Sequence, residues 1–412
     1  MTEARNDVLA RGLLACVILS SVIQVPFIWD LDGHLSNLNS FARNWNFASL
    51  IALFLFSWMM MFRQLRAPRS VLPRLQAVLL CAVAGFVLVR TLVHSDFGIG
   101  LFGLGWLLNI SFLWALFVYA VDGGLEGDEA WCWLGLAAVL HLAAFLLALV
   151  MLWDVSEYPW IALPPGFNNI RHLGYLMAAA AAASGMIYTC RHGTVFWPLV
   201  SFAAALFYLF LTGSRGGVMA VFVGLPVVWA IMFWRHAPPR RWRVLVLSGF
   251  AGGLLLLVYL LPPMPFDTIL LRAEKLNVAE DASGGMRLTL WRITAGVIAD
   301  NWLVGVGPVP VALLPEVPER FALNHTHNVV LQIFLHWGVL GAALIALTAG
   351  SMFRPVLSIG TEQLLQRMPA VAVMCTMLVH ASVDGSLFYP FTVAIFLIAF
   401  AQLVRGSGPA TP

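Results

Sequence analysis

Polar residues in this chain come in narrow clusters, and between them lie long runs with almost no charge. Twelve runs are long enough to be read as separate spans: Val8–Trp29, Asn46–Phe62, Leu75–Val93, Phe97–Val121, Ala130–Trp153, His172–Cys190, Val195–Leu211, Val218–Trp234, Val244–Leu261, Asn328–Phe353, Met368–Val383 and Phe388–Val404. A helix needs about 20 apolar residues to cross a bilayer. Only helices and closed barrels satisfy their own backbone hydrogen bonds there. The runs are too long for barrel strands, so they predict an all-α, polytopic membrane protein with about twelve spans. Composition agrees: 61% of the 412 residues are hydrophobic and 10% are charged, against about 25% charged in soluble domains. This excludes a soluble enzyme, a nucleic-acid binder and a disordered chain. Val8–Trp29 is longer than a signal-peptide core and lacks a small-x-small cleavage site, so it is read as a retained span.

Orientation follows the arginines, which outnumber lysine 22 to 1. With the N-terminus inside, the cytoplasmic side holds thirteen of them, from Arg5, Arg63 and Arg66 through Arg235, Arg240, Arg241 and Arg243 to Arg405. The short outer loops hold only Arg43, Arg171 and Arg215. The positive-inside rule then places both termini in the cytoplasm. One long non-spanning segment, residues 262–326, falls on the outer side between the ninth and tenth spans. Within it, Thr268–Asn277 and Arg287–Ala299 read as amphipathic helices; Leu290, Ile293 and Val297 share a face of the second. Asp281–Gly285 reads as a flexible joint, with Gly284-Gly285 a hinge for a lid. The Gly305, Gly307, Pro308 and Pro310 region reads as tight turns. The run Ala178–Ala183 predicts a smooth face for close helix packing.

The surviving outer-side polar groups are few. Arg171 lies in Asn168-Asn169-Ile170-Arg171-His172, Arg215 in the turn Thr212-Gly213-Ser214-Arg215-Gly216-Gly217, and Arg287 opens a loop helix. Two readings stand for these arginines. Singly, each can snorkel or pair at a helix end; together on one face, planar guanidinium groups suit a multiply charged anion. Asn324-His325-Thr326-His327-Asn328 leads straight into the tenth span. It reads either as a helix cap or as the place of a general base. No third ligand of suitable spacing accompanies His325 and His327, and the five cysteines lie in apolar stretches, so no metal site is predicted. The span centres carry no Asp or Glu, which argues against an ion-coupled transporter or flippase. Asp384 lies near an outer end, four residues after His380 and on the same helix face.

Three motifs in this order resemble the bacterial O-antigen ligases and the related O-antigen polymerases. They are Thr212-Gly213-Ser214-Arg215-Gly216; Arg287-Leu288-x-Leu290-Trp291 with Leu303-Val304-Gly305-Val306-Gly307-Pro308; and His327-Asn328-x-x-Leu331-Gln332 with Gly338-Val339-Leu340-Gly341. The resemblance covers roughly Arg171 to Asp384. Trp302 and Val309 depart from the Pro and Gly that many members carry there. The resemblance implies an inner-membrane glycosyltransferase with its site on the periplasmic side and no metal or other cofactor. Its donor is a glycan on undecaprenyl pyrophosphate. Its acceptor, in a ligase, is a hydroxyl of lipid A–core oligosaccharide, and displacement inverts the anomeric centre. Arg215 and Arg287 then stabilise the pyrophosphate and His327 activates the acceptor. Arg171, His325, Arg90, Asn328 and Asp384 are candidates for substrate binding. The placing of the motifs around one large outer loop favours a ligase. A polymerase with a glycan acceptor shares the same chemistry, and protein-glycosylating relatives tend to be longer.

Overall fold

The computed structural model describes residues 12, 74–93, 117, 128–151, 170–191, 196–235, 239–260, 282–318, 325–354, 357, 359–388 and 390–404. The described residues form ten α-helices, two short 3-10 turns and no strand. In chain order the helices are α1 (Arg74–Val93), α2 (Glu129–Met151), α3 (Ile170–Cys190), α4 (Phe196–Leu211), α5 (Arg215–Trp234), α6 (Arg241–Leu260), α7 (Ala282–Asp300), α8 (Val329–Phe353), α9 (Thr361–Ala381) and α10 (Pro390–Val404). Six of them, α2, α3, α5, α6, α8 and α9, are long and apolar enough to cross a membrane. The expected spans Val8–Trp29, Asn46–Phe62 and Phe97–Val121 lie outside the described residues apart from Gly12 and Phe117, as does the expected loop helix Thr268–Asn277.

The bundle is built around α3. Ala178–Ala183 are at most 1% exposed, and their small side chains let α2, α4, α5 and α9 pack onto one helix. Apolar surface faces outward elsewhere: Leu75 and Val89 on α1, and Leu245, Leu256 and Leu260 on α6, are exposed. A water-soluble fold would bury these residues; a bilayer is a suitable solvent for them.

Arginines expected in inner loops gather at one end of the bundle. Arg191, just past α3, forms a forked pair with Asp128 (2.8 and 2.7 Å) and donates to the Gln366 carbonyl at 2.9 Å. Buried Arg243 donates to the Tyr188 and Arg191 carbonyls, both at 2.7 Å. Arg235 and Arg367 donate to Ile359 and Leu403 carbonyls, each at 2.7 Å. Several of these carbonyls lie in or just past a last helical turn, where no intrahelical donor remains.

The opposite end carries α7, the turns that follow it, and the start of α8. Gly338 breaks α8 with φ 58° and ψ −165°. The break is closed by backbone pairing with residues 302–307. Val306 N–H donates to Leu335 O (2.8 Å), Gly307 N–H to His336 O (3.0 Å), Val339 N–H to Trp302 O (2.8 Å) and Leu340 N–H to Leu303 O (3.1 Å). Four of the groups that the kink would orphan, the Leu335 and His336 carbonyls and the Val339 and Leu340 N–H groups, are thus paired. A Cβ at Gly305 or at Gly338 would lie 2.5 Å from the backbone of the other segment, and both residues have positive φ. The two glycine motifs are therefore two halves of one crossing. Around it, Leu290 and Val297 of α7 bury against Val311, Leu314, Val317 and Leu335.

One expectation is corrected here. Helix α7 begins at Ala282, so Gly284 and Gly285 lie inside a helix and are not a joint. Each glycine costs about 1 kcal/mol relative to alanine in a helix interior, and the packed downstream face of α7 offsets this. A second difference is at α9, which starts at Thr361 rather than Met368. Its first turns carry Glu362 and Arg367, so hydropathy marked only the apolar part of a longer helix.

Candidate active site

Three segments distant in sequence meet where α9 ends. Asp384 lies just beyond α9, and its N–H still donates to His380 O at 2.9 Å, so it continues the last helical turn. His327 lies two residues before α8. The cap of α8 is Asn328, whose side-chain oxygen accepts from Val330 N–H (3.0 Å) and Leu331 N–H (3.1 Å). Asn328 is therefore a structural cap, which frees His327 from that role. His327 has φ 55°, in the left-handed region that histidine visits more readily than most residues. Its Nδ1 lies 2.7 Å from Asp384 Oδ1.

Asp384 is buried and held from several sides. Oδ1 also accepts from Gly385 N–H at 2.8 Å. Oδ2 lies 3.5 Å from a terminal nitrogen of Arg287, whose other terminal nitrogen donates to Val383 O at 2.9 Å. Burial alone would push the carboxyl pKa up. The His327 hydrogen bond and the charges of Arg287, His327 and His380 override it and hold the group well below the usual carboxylate range. Asp384 is thus an anion over the whole range in which histidines titrate.

The Asp384 contact bears on which nitrogen of His327 carries the proton. An aspartate on Nδ1 favours the tautomer with the proton there and leaves the Nε2 lone pair to accept one. It also stabilises the imidazolium that results. Arg287 beside the pair supplies positive charge within reach of the same space.

Arg215 is brought to this end by the turn between α4 and α5. Gly213 (φ 62°) ends α4, with Ser214 N–H donating to Leu209 O (3.1 Å) and Gly213 N–H to Phe210 O (3.3 Å). This six-to-one and five-to-two pattern is a Schellman stop, and α5 starts at Arg215, which is exposed. The next residue, Gly216, abuts His380: a Cβ there would lie 3.0 Å from His380 Nε2. The ring of His380 also meets Tyr175 of α3 edge-on at 4.8 Å. The turn carrying Arg215 therefore rests against the α9 turn that leads into Asp384.

The remaining sequence candidates are placed as follows. His325 sets its ring edge-on to His327 at 4.4 Å, and any side chain at Gly385 would run into it. Arg171 lies in the first turn of α3; its side chain is outside the described residues. Arg90 of α1 donates to the Gly305 carbonyl, so one of its bonds braces the glycine crossing. A polar chain that sequence reasoning missed runs behind the site: Trp291, Thr326, Gln332 and His336. Trp291 and Gln332 stood in the second and third motifs and Thr326 in the polar cluster before α8, but nothing local joined them. Among the described residues no group of three or more His, Cys, Asp or Glu side chains is arranged to hold a metal ion.

Residues 199–346 match a family model described as O-antigen ligase. The matched stretch runs from α4 to the middle of α8 and includes Arg215, Arg287, His325 and His327; Asp384 lies beyond it. A comparison with curated proteins found no match.

Proposed function

We propose that this chain, whose residues 199–346 match the O-antigen ligase family model, is such a ligase and joins a glycan from undecaprenyl pyrophosphate to a hydroxyl of lipid A–core oligosaccharide. The observation that carries this reading is the pairing of His327 with Asp384 beside Arg287. The acceptor O–H gives its proton to His327 Nε2 as the oxygen attacks the anomeric carbon. The bond from that carbon to the pyrophosphate breaks, and the leaving group keeps the electron pair. Arg287 and Arg215 stabilise the charge that develops on it. Attack opposite the leaving group inverts the anomeric centre. No divalent ion is needed in this scheme, because guanidinium groups do that work. The site belongs at the periplasmic face of the inner membrane, where the lipid tails of donor and acceptor remain in the bilayer.

Asp384 is a positioning residue in this scheme. Asp384→Asn is expected to lower kcat by about 10²-fold or more while donor binding changes little. The amide cannot supply the negative charge that stabilises the imidazolium. Wild-type kcat in this variant would remove Asp384 from the mechanism.

The function is tested with purified protein in detergent, lipid-linked donor, EDTA, and either lipid A–core or a second lipid-linked glycan as acceptor. The expected product is glycan on lipid A–core, in equal yield with and without the chelator. Elongation of the second glycan alone would identify a polymerase. No new glycosidic bond with either acceptor would overturn the reading. A loss with EDTA that a divalent ion restores would overturn its metal-independent form.

A further inference from the structure

We propose that Gln332 is a positioning residue for transfer, acting on His327 through the Thr326 peptide; this rests on the reading of His327 as the base. His327 keeps a left-handed backbone (φ 55°). A residue with a side chain holds that conformation only where its surroundings fix it. What fixes it is the residue before. Thr326 is fully buried, and its peptide groups are gripped from two helices. Trp291 of α7 donates its indole N–H to Thr326 O at 2.8 Å. Gln332 of α8 accepts from Thr326 N–H through Oε1 at 2.7 Å. The Thr326 hydroxyl donates to Asn328 O at 2.8 Å, which bridges over His327.

The orientation of the Gln332 amide is itself determined. Thr326 N–H needs an acceptor, so Oε1 must face it and the amide nitrogen must face away. That nitrogen lies 2.5 Å from His336 Nε2, which also lies 3.1 Å from the Val309 carbonyl oxygen. Gln332, 3% exposed, is thus enclosed between the peptide it holds and the His336 ring. Without the oxygen, Thr326 N–H is buried with no acceptor, the His325–Thr326 peptide turns to find one, and the backbone entering His327 turns with it. His327 Nδ1 then leaves Asp384.

The test compares side chains that differ in the oxygen. Gln332→Leu is expected to lower kcat by 10-fold or more, with donor KM and donor affinity unchanged. Gln332→Glu keeps an acceptor for Thr326, its second oxygen can take an Nε2–H from neutral His336, and turnover within about 3-fold of wild type is expected. A purely structural role would lower extracted yield or Tm without this split, and the carboxylate would not rescue it. Trp291→Phe removes only the indole donor and is the second variant should Gln332→Leu extract poorly. Its kcat is expected to fall too, and the pair is expected to combine less than multiplicatively, since both hold the backbone of one residue, Thr326. Wild-type kcat in Gln332→Leu, with His327→Ala inactive, overturns this inference alone. Full activity in His327→Ala overturns the underlying reading of the base.

Discussion

His327→Ala is expected to lower glycan transfer by about 10²–10⁴-fold, the usual contribution of a positioned acid or base, while the protein still binds its lipid-linked donor. The loss would not be a loss of helix capping, because Asn328 accepts the first N–H groups of α8. Nor would it come from an unpaired buried charge alone. Asp384 keeps Arg287 at 3.5 Å and the Gly385 N–H at 2.8 Å when the imidazole is gone. What disappears is the group proposed to take the acceptor proton. Donor binding is expected to persist because the arginines proposed to meet the pyrophosphate stand on other elements, α5 and α7. His325 stands edge-on to the His327 ring at 4.4 Å, whereas the 2.7 Å bond to Asp384 is made by His327.

Arg287→Lys and Arg215→Lys are each expected to lose about 10²-fold or more of transfer, nearly as much as the alanine variants. Removing one donor to developing charge costs that much in other enzymes. Arg287 uses its fork to hold Val383 O at 2.9 Å and to approach Asp384 Oδ2 at 3.5 Å together. A single ammonium cannot span both and still present a donor to a phosphate. Arg215 is fixed by a glycine turn at the first position of α5, so a shorter, point-charged side chain would change both reach and geometry. The check is transfer by protein extracted at wild-type levels. Full activity in both lysine variants would remove the arginines from pyrophosphate binding.

Hydropathy was a sound guide to helices because the bilayer leaves the backbone few options: nine of the expected spans coincide with helices α1–α6 and α8–α10. It was a poor guide to helix ends, as at α9, where polar first turns extend past the apolar run. Gly284-Gly285 looked like a joint because glycine is flexible in isolation; packing of α7 downstream decides otherwise. The crossing of residues 302–307 with the Gly338 kink was invisible. Each motif shows its own glycines, but nothing local says that their backbones pair. His327 and Arg287 could be picked out from motif order and loop position. The role of Asp384 could not, because it lies 57 residues from His327 and only the fold joins them. Its i, i+4 relation to His380 was legible and appears as the backbone bond at 2.9 Å, but it gave no sign that the Asp384 side chain meets His327. Gln332 stood in a motif with no visible task, since the peptide it holds becomes a target only once His327 is in place.

The central claim is that His327 performs chemistry rather than holding a helix end. The most direct measurement is transfer by His327→Asn protein that extracts at wild-type levels. Asparagine tolerates the left-handed backbone seen at this position and is a good capping residue, so it keeps the backbone conformation and any capping role while removing the basic nitrogen. The account predicts donor binding near wild type with transfer lost by about 10²-fold or more. Near-normal transfer by the asparagine variant would contradict it.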